Sequence, residues 1–312
     1  MIAQTDILDQ ATSLQAQLDA ISRDILQRFP VKEYERDCLA HTTYWKRTLY
    51  SKQRKHIFQT ITHQYGAEAI ALYHKLGLCS FMVNSIKRVS QQKLPDAILE
   101  LLDIWYRQIL KDCSARSNDY YYHMFPSFNV DIKVSLLRSL PVGGPWIVDL
   151  ERISFSAFKN GPLTQKWAFI KCLCTQTRGV APFLIIHTSN RRLHAFNETE
   201  LNGAYLVMAQ LMGQNPSIRG IYRRSWFLDP ALDDLSPELS YLRTTPEDNG
   251  AQLFVAHTTQ IDVDNALRFS FKRRQLHAKG RYHPQGYAYI WPREAILARA
   301  ARHSSNIKGE AN

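Results

Sequence analysis

The chain reads PFLIIHTSNRRLHAFNETELNGAYLVMAQLMGQNPSIRGIYRRSWFLD over residues 182–229, an apolar run followed by a basic turn, a helical stretch and a second apolar run. This order predicts a strand, a loop rich in cationic donors, a helix and another strand. Such a loop before a helix N-terminus is a common way of building an anion-binding crevice. The segment therefore indicates a phosphate-bearing ligand.

Apolar residues upstream of this segment recur at helical spacing. Between Ile7 and Ile25 they are four and three apart, which predicts an amphipathic helix that either packs inside a helical domain or forms a short dimerisation seam. Further helices are predicted over Lys32–Tyr65, capped by Gly66, then up to Gly77, and after Pro95. The first hundred or so residues are thus predicted to be mostly α.

Alternating apolar residues and turn residues dominate the rest of the chain. Predicted strands at Trp146–Leu150, Trp167–Cys174 and Pro182–Thr188 form an antiparallel meander. Helices and strands then alternate, and the predicted elements are a helix over Glu198–Met212, strands over Ile218–Leu228 and Gln252–His257, a helix over Val263–Ala278, a strand over Tyr287–Trp291 and a last helix from Pro292.

The fold class expected from this order is α+β, with an α/β-like alternation: a helical N-terminal domain followed by a mixed, mainly antiparallel sheet flanked by helices. A small, polar stretch after Cys113 places the domain boundary between residues 115 and 116. The predicted domains are 1–115 and 116–303, with a disordered tail over 304–312.

Composition narrows the class of protein. With 45% hydrophobic and 21% charged residues among 312, the balance is that of a soluble globular protein. No apolar stretch approaches the roughly 18 to 20 residues that span a bilayer, and the first 18 residues carry Asp6 and Asp9 but no basic residue. We expect a cytoplasmic protein without a membrane partner.

Motifs for several kinds of chemistry are missing from the sequence. The five cysteines include no Cys-x-x-Cys pair, and the eleven histidines include no His-Glu-x-x-His or His-x-Asp/Glu pattern, so no metal is expected. Gly-x-Ser-x-Gly, the P-loop and Gly-x-Gly-x-x-Gly are absent too, which argues against serine hydrolases, P-loop NTPases and dinucleotide dehydrogenases.

The net charge of +11 favours an acidic partner. Residues 116–312 hold 24 Lys/Arg against 16 Asp/Glu, a net of +8 out of the +11. Two basic stretches either contact nucleic acid or form solvated helix faces. Their cations are Lys46, Arg47, Lys52, Arg54 and Lys55 in the first, beside Tyr44 and Trp45, and Lys272, Arg273 and Arg274 in the second.

Carboxylates at the ends of predicted strands are candidates for a general base. Asp229 follows the apolar run 218–228 and precedes Pro230, where it either accepts a proton or caps a helix. Glu151, at the end of the strand that begins at Trp146, is the alternative carboxylate.

The order of elements from Trp146 to Trp291 resembles the core of the GNAT acyltransferase superfamily. In that family the loop between the fourth strand and the next helix binds the pyrophosphate of acyl-CoA. The resemblance implies that Asn190, Arg191 and Arg192, in the matching loop, bind the donor phosphates. It also implies a tyrosine as general acid for the departing thiolate, and Tyr282, just after Gly280, is the nearest tyrosine.

One segment matches the letters of the family's Gln/Arg-x-x-Gly-x-Gly/Ala loop. Gln176-Thr-Arg-Gly179-Val-Ala181 fits, but it precedes a strand where the family has a helix, so we interpret it as a hairpin turn and a chance match. The loop 188–198 contains no glycine.

The leading hypothesis is an N-acyltransferase that takes acetyl-CoA or another acyl-CoA as donor. Asp229, Glu151, His187 or His257 would accept the proton of an unknown amine. The alternative is a basic nucleic-acid-binding or regulatory protein without catalysis. A third hypothesis is a helical interaction protein that docks a partner through Ile7–Ile25.

Overall fold

The computed structural model describes residues 4–41, 48–89, 91–155 and 161–310. The chain forms two compact units, and each is made from two stretches of sequence. Unit 1 comprises Met1–Asp149 and Thr188–Ala195, and unit 2 comprises Leu150–His187 and Phe196–Asn312. The predicted boundary at residues 115 and 116 falls inside unit 1.

Unit 1 is mainly helical, as the apolar spacing predicts. Its regular elements are α1 (Gln4–Ile21), α2 (Ile25–Arg28), α3 (Val31–His41), α4 (Lys52–Val89), α5 (Asp96–Ala115), α6 (Pro126–Ser135), β1 (Ser139–Gly143) and the first part of β2 (Trp146–Glu151). The strands β1 and β2 form an antiparallel hairpin.

The apolar stripe of α1 packs inside unit 1. Ile7, Leu14 and Leu18 are buried, as is Ile25 at the start of α2, and α1 lies against α4. Ile21 is more exposed than the others. Packing within a helical domain is therefore confirmed, and the stripe is already covered by the chain itself rather than open to a partner.

Two glycines of α4 have different roles. Gly66 has φ 90° and ψ 173° and breaks α4 into two helical segments, so the predicted break is confirmed. Gly77 does not end a helix as predicted. A Cβ at Gly77 would lie 3.0 Å from Cε1 of Tyr34, so this glycine allows α3 to pack closely on α4.

Unit 2 contains the remaining elements. They are α7 (Leu163–Thr175), β3 (Phe183–Thr188), α8 (Glu198–Gln214), β4 (Gly220–Ser225), α9 (Leu232–Leu235), α10 (Tyr241–Asp248), β5 (Gln252–Val255), α11 (Gln260–Arg268), α12 (Phe271–Ala278), β6 (Tyr287–Pro292) and α13 (Arg293–Glu310). The last helix covers residues 304–310 of the predicted tail.

The predicted strand Trp167–Cys174 is wrong, because this segment is the helix α7. Phe169, Cys172 and Leu173 are buried at helical spacing, whereas Trp167 and Cys174 are exposed. Cys172 and Cys174 therefore lie on different faces. The predicted antiparallel meander is wrong as well, and the predicted helix Val263–Ala278 is two helices, because the chain breaks at Phe269 and Ser270.

The six strands follow the order β1-β2-β3-β4-β6-β5 in a mixed sheet. In unit 2, β3 and β4 are parallel and joined by α8, while β6 is antiparallel to both β4 and β5. The predicted α+β class, with a mixed sheet flanked by helices, is confirmed. The apolar core of unit 2 includes Phe169, Phe183, Tyr222, Phe254 and Ile290.

Candidate functional site

One edge of the unit 2 sheet brings together most of the predicted catalytic residues. Ser225 at the end of β4 and Val255 at the end of β5 both pair with Tyr287 at the start of β6. Asp229 and His257 follow those two strand ends. Because β3 is parallel to β4, His187 near the end of β3 lies at the same edge, which we call the carboxyl edge.

The ladder between the parallel strands β3 and β4 is short. Within the described residues their register covers two pairs, Leu184 with Ile221 and Ile185 with Tyr222. Both strands continue beyond these pairs, β3 to Thr188 and β4 to Ser225. A crevice where neighbouring parallel strands separate is a common place for a ligand in sheets of this kind.

Asp229 is held by backbone hydrogen bonds at the carboxyl edge. One carboxylate oxygen accepts the Ala231 N–H at 3.0 Å, and the other accepts the Gln285 N–H at 3.1 Å. Only 5% of the residue is exposed. Burial raises the pKa of Asp229 above its ordinary value, although the two N–H bonds and Arg243 oppose that rise. A carboxylate with a raised pKa is suited to accept a proton near neutral pH.

The segment that donates to Asp229 is fixed by its own network. The side-chain amide of Gln285 donates to the Ala256 carbonyl at 2.9 Å and to the Thr258 hydroxyl at 2.8 Å. The Gly286 N–H donates to the same hydroxyl at 2.9 Å. These bonds hold the approach to β6 against the end of β5 and so set the position of Asp229.

Tyr282 lies close enough to Asp229 for the two groups to interact electrostatically. Burial raises the pKa of Tyr282, and the negative charge of Asp229 raises it further, whereas Arg273 lowers it. The buried hydroxyl has no hydrogen-bond partner within the described residues. A phenol in this environment stays protonated at neutral pH and can donate a hydrogen bond.

Arg273 is buried beside this pair and does not project outward as predicted. Its Nε donates to the Ala266 carbonyl at 2.6 Å, its NH1 donates to the Ser236 hydroxyl at 2.5 Å, and its guanidinium lies over the Trp226 ring. Burial lowers the pKa of Arg273. This arginine is a core residue, so the predicted contact with nucleic acid is wrong for Arg273.

The remaining base candidates differ in position. His187 and His257 are exposed at the carboxyl edge, and the His257 carbonyl accepts a bond from Arg224. Glu151 lies at the opposite edge, because the Ile153 N–H, two residues further on, donates to the carbonyl of Val180, just before β3 begins. The structure therefore brings Asp229, His187, His257 and Tyr282 to one edge but leaves Glu151 at the other.

The loop after β3 contains the three predicted donor-binding residues. Asn190 is exposed, and Arg192 is half-buried with φ 59°. Arg191 is engaged inside unit 1: its guanidinium donates to both carboxylate oxygens of Asp131, at 2.9 and 2.6 Å, and to Asp112 at 2.6 Å. Donor binding by Arg191 would require these ion pairs to break.

The start of α8 is acidic. The Asn197 side chain caps the helix by accepting the Glu200 N–H at 2.9 Å, and Glu198 and Glu200 occupy the first turn. Their charges oppose an anion at this helix N-terminus. The acidic first turn could be foreseen from the sequence. Because this helix start opposes an anion and Arg191 is held in ion pairs, Asn190 and Arg192 are the remaining donor-binding candidates.

The segment that matches the family's glycine loop has a structural role. The N–H groups of Gln176 and Thr177 donate to the Cys172 carbonyl, and the Gly179 N–H donates to the Leu173 carbonyl. These donors end α7 and are not available to a phosphate. The segment is a helix C-cap and not the hairpin turn that the sequence predicts.

Sequence analysis missed the residues that support Asp229. Gln285 and Thr258 are 27 residues apart and meet only through the pairing of β5 with β6. The run His283-Pro284-Gln285-Gly286 before an apolar strand predicts a turn, but it does not predict that Gln285 bonds to Thr258.

Within the described residues no group of three or more His, Cys, Asp or Glu is arranged to bind a metal. No described helix is both long and apolar enough to cross a bilayer.

Comparisons with known proteins give little further information. No protein-family model matches the chain, and no curated protein matches it significantly. A crystal structure of an acyltransferase in complex with decanoyl-CoA is similar over 90% of this chain and 99% of that chain, with a TM-score of 0.42 and 11% sequence identity. A similarity of this size is too small to support an inference about family or activity.

Proposed function

We propose that the chain is an acyl-CoA-dependent N-acyltransferase whose reaction takes place at the carboxyl edge of unit 2. The observation that carries this proposal is the short ladder between β3 and β4, which covers two residue pairs although both strands continue toward the carboxyl edge. An extended thioester donor can lie in such a crevice with its carbonyl near the strand ends. The donor class is an acyl-CoA, and the acceptor is an amine.

Asp229 and Tyr282 supply the two proton transfers that aminolysis of a thioester needs. The amine nitrogen attacks the thioester carbonyl carbon, and Asp229, in its ionised form, accepts the amine proton directly or through one water. The carbon–sulfur bond then breaks, and the Tyr282 hydroxyl gives its proton to the departing thiolate. Tyr282 packs in one apolar cluster with Trp226 and Leu232, which flank Asp229 in the chain, and this packing supports assigning the two groups to one reaction centre.

Donor binding by Asn190 and Arg192, which belong to unit 1, stays a prediction from the family resemblance. Both follow β3 directly in the chain, and neither takes part in the ion pairs that hold Arg191. A guanidinium and an amide are suitable donors for the oxygens of a pyrophosphate. His187 and His257 are further candidates for the proton acceptor, whereas the position of Glu151 at the opposite edge separates it from this chemistry.

The test is thiol release from acetyl-CoA and decanoyl-CoA in the presence of a panel of amines. We expect Asp229→Asn to lower kcat by about 10²–10⁴-fold, with little change in the affinity for acyl-CoA, and Tyr282→Phe to lower kcat as well. Asp248→Asn, at an exposed carboxylate of the same unit, is the matched control. Failure of every acyl-CoA to bind the folded protein would sink the proposal.

A second candidate function is binding of single-stranded nucleic acid by the junction of α11 and α12. Phe269 is 85% exposed and Phe271 is 72% exposed, and basic side chains flank them at Arg268, Lys272 and Arg274. Exposed aromatic rings between cations can stack on bases while the cations contact phosphates.

The other predicted nucleic-acid stretch has less support. Lys46 and Arg47 lie outside the described residues. Lys52 is exposed and Lys55 is half-buried. Arg54, by contrast, is buried: its Nε lies 3.8 Å from a carboxylate oxygen of Asp37, and its guanidinium lies over the Tyr34 ring.

Binding of a fluorescent oligonucleotide at several salt concentrations tests the second function. Replacing Phe269 and Phe271 with serine should weaken binding by about 1–3 kcal/mol per stacked base. Trp167→Ser is the control, because Trp167 is an exposed aromatic residue elsewhere in unit 2. If the control weakens binding equally, the aromatic junction is not the site.

A further inference from the structure

A second cleft lies at the edge of the unit 2 sheet opposite to Asp229. It has a volume of about 670 Å³ and is formed by three chain segments: the end of α7 with the approach to β3, the connection from α8 to β4, and the end of β6 with the start of α13. Strand β6 begins beside Asp229 and ends at Pro292 in this cleft. The proposed acyl transfer makes no use of it.

Backbone hydrogen bonds hold the three segments together. The Arg219 N–H donates to the Pro182 carbonyl at 2.9 Å, and the Arg293 N–H donates to the Arg219 carbonyl at 3.0 Å. The walls of the cleft are therefore part of the folded sheet and its connections. A ligand would meet a cleft that is already formed.

Arg219 is positioned in the cleft by neutral acceptors. Its Nε donates to the Ala181 carbonyl at 2.7 Å, and its NH1 donates to the Thr177 carbonyl at 3.0 Å. The guanidinium lies against Gly179, where a Cβ would come within 2.9 Å of Cζ of Arg219. These contacts fix the orientation of the Arg219 guanidinium without neutralising its charge.

Arg293 is held in the same way. Its NH1 donates to the carbonyls of Asn215 at 3.1 Å and Ile218 at 3.3 Å. Arg178, with φ 52°, is a third arginine of the lining and is exposed. Within the described residues none of the three arginines forms an ion pair with a carboxylate. Glu294 is the acidic residue of the lining, so these four side chains give the cleft a formal charge of +2.

The rest of the lining combines an apolar wall with the uncharged polar residues Thr175, Gln176, Thr177 and Ser217. Three proline rings, Pro182, Pro216 and Pro292, border the cleft together with Ile218 and Ala295. Planar guanidinium forks bind phosphate through two parallel hydrogen bonds, and an apolar wall accepts the face of a heteroaromatic ring. A cleft of a few hundred Å³ with a few fixed polar groups in an apolar lining is typical of small-molecule sites.

We propose that this cleft binds a nucleotide, with its phosphate on Arg178, Arg219 and Arg293 and its base against the prolines. The site is separate from the carboxyl edge, and the proposal holds whether or not the chain transfers acyl groups. The same chemistry could come from a free nucleotide or from the nucleotide half of a larger molecule such as CoA.

Isothermal titration with AMP, CoA, adenosine and pyrophosphate tests the proposal. We expect AMP to bind more tightly than adenosine or pyrophosphate. Arg178→Ala and Arg293→Gln should each weaken AMP binding by about tenfold, the effect of losing one charge-assisted hydrogen bond. Arg178→Ala is the primary variant, because the Arg178 side chain makes no hydrogen bond within the described residues and its loss should leave folding intact. Arg281→Ala, at an exposed arginine outside the cleft, is the matched control.

The outcomes separate the sources of the ligand. If only AMP loses affinity in the variants, the ligand is a free nucleotide; if CoA loses affinity in parallel, the cleft holds the nucleotide half of CoA. The proposal is overturned if neither compound binds at millimolar concentration, if pyrophosphate binds as tightly as AMP, or if Arg281→Ala weakens binding as much as Arg178→Ala. Thiol release in the Asp229→Asn variant is independent of all these results.

Discussion

Arg191 illustrates how one side chain can satisfy several buried charges. Asp131 accepts hydrogen bonds from Arg191, from the Trp105 indole at 3.1 Å and from the Tyr120 hydroxyl at 2.5 Å, and the Arg191 guanidinium also binds Asp112. All the charged groups of this cluster are nearly buried. Removing the guanidinium would leave Asp131 without its countercharge inside unit 1, whereas Asp112 would keep its ion pair with Arg116 at 2.8 Å.

We therefore expect Arg191→Ala to lower the free energy of unfolding by about 3–5 kcal/mol, the cost of leaving a buried charge unpaired. Arg192→Ala, next to it in sequence but outside the cluster, should change it by about 0.5 kcal/mol or less. Urea unfolding of both variants provides the measurement. Equal stability of the two variants would contradict the role given to Arg191.

The raised pKa of Asp229 makes the free energy of unfolding depend on pH. The folded protein keeps the Asp229 proton above the ordinary pKa of 3.8, at a pH where the unfolded chain has already released it. The folded state then binds more protons than the unfolded state, so the contribution of Asp229 to the free energy of unfolding decreases as pH rises from about 4 to the raised pKa.

Asp229→Asn should remove this contribution, since asparagine does not titrate. We expect the difference in urea midpoint between the wild type and Asp229→Asn to vary with pH over that window and to be constant above it. Asp248→Asn should follow the wild type throughout. A constant difference for Asp229→Asn over the whole range would show that the carboxyl is not perturbed.

Residues could be assigned from sequence where the signal was local. The position of Asp229 shortly after β4 could be predicted, because a carboxylate after an apolar run and before a proline marks a strand end, whereas its role as a base stays a prediction. The role of Arg191 could not be foreseen, because its partners lie 60 and 79 residues away and only the fold brings them together. The three arginines of the second cleft were missed for the same reason.

At the scale of elements, α7 shows that predicting a helix depends on the spacing of its apolar residues more than on how many there are. Its apolar residues occur on all sides, with Phe169, Cys172 and Leu173 buried and Leu163, Trp167 and Ile170 exposed. A helix that is apolar all round has no clear 3.6-residue period, so its sequence reads equally well as a buried strand. Helices with a single apolar face, such as α1 and α5, were predicted as helices, although the predicted helix over Ile7–Ile25 is broken after Ile21.

Trp167 and Phe169 distinguish the helix from the predicted strand by mutation. In a strand, residues two apart share a face, whereas in α7 Trp167 is 70% exposed and Phe169 is 3% exposed. Phe169→Ala should cost about 3–5 kcal/mol of stability, and Trp167→Ala about 0.5 kcal/mol or less. Similar losses from both changes, measured by thermal or urea unfolding, would argue for the strand.

The break in α4 depends on the backbone of one residue. At φ 90° and ψ 173°, Gly66 occupies a region that other residues enter only with strain, while a Cβ there would meet nothing within 4 Å. Gly66→Ala should therefore cost about 1–3 kcal/mol through the backbone alone. Gly203→Ala, in α8 and equally free of contacts, should instead stabilise by about 0.5–1 kcal/mol. Differential scanning calorimetry of the two variants checks the opposite signs.

At the scale of the whole molecule, the five cysteines report on how completely the chain is folded. Cys38, Cys79, Cys113 and Cys172 are buried, and Cys174 is exposed. Burial also raises the pKa of Cys172 to about 11, so little of its thiolate exists at neutral pH.

Titration with an aromatic disulfide reagent should consequently find one fast-reacting thiol in the native protein and five in denaturant. Cys174→Ser should abolish the fast phase and leave the four slow thiols unchanged. Two or more fast thiols in the native protein would mean that a core of the described structure opens on the time scale of the reaction.

The short stretch Thr188–Ala195 belongs to unit 1, although the strand before it and the helix after it belong to unit 2. A fragment ending at Asp149 would contain Asp112 and Asp131 but not Arg191. No single uninterrupted segment of the chain therefore encodes the whole of unit 1. A recombinant fragment of unit 1 must include both stretches. A single proteolytic cut after residue 149 does not release the complete unit.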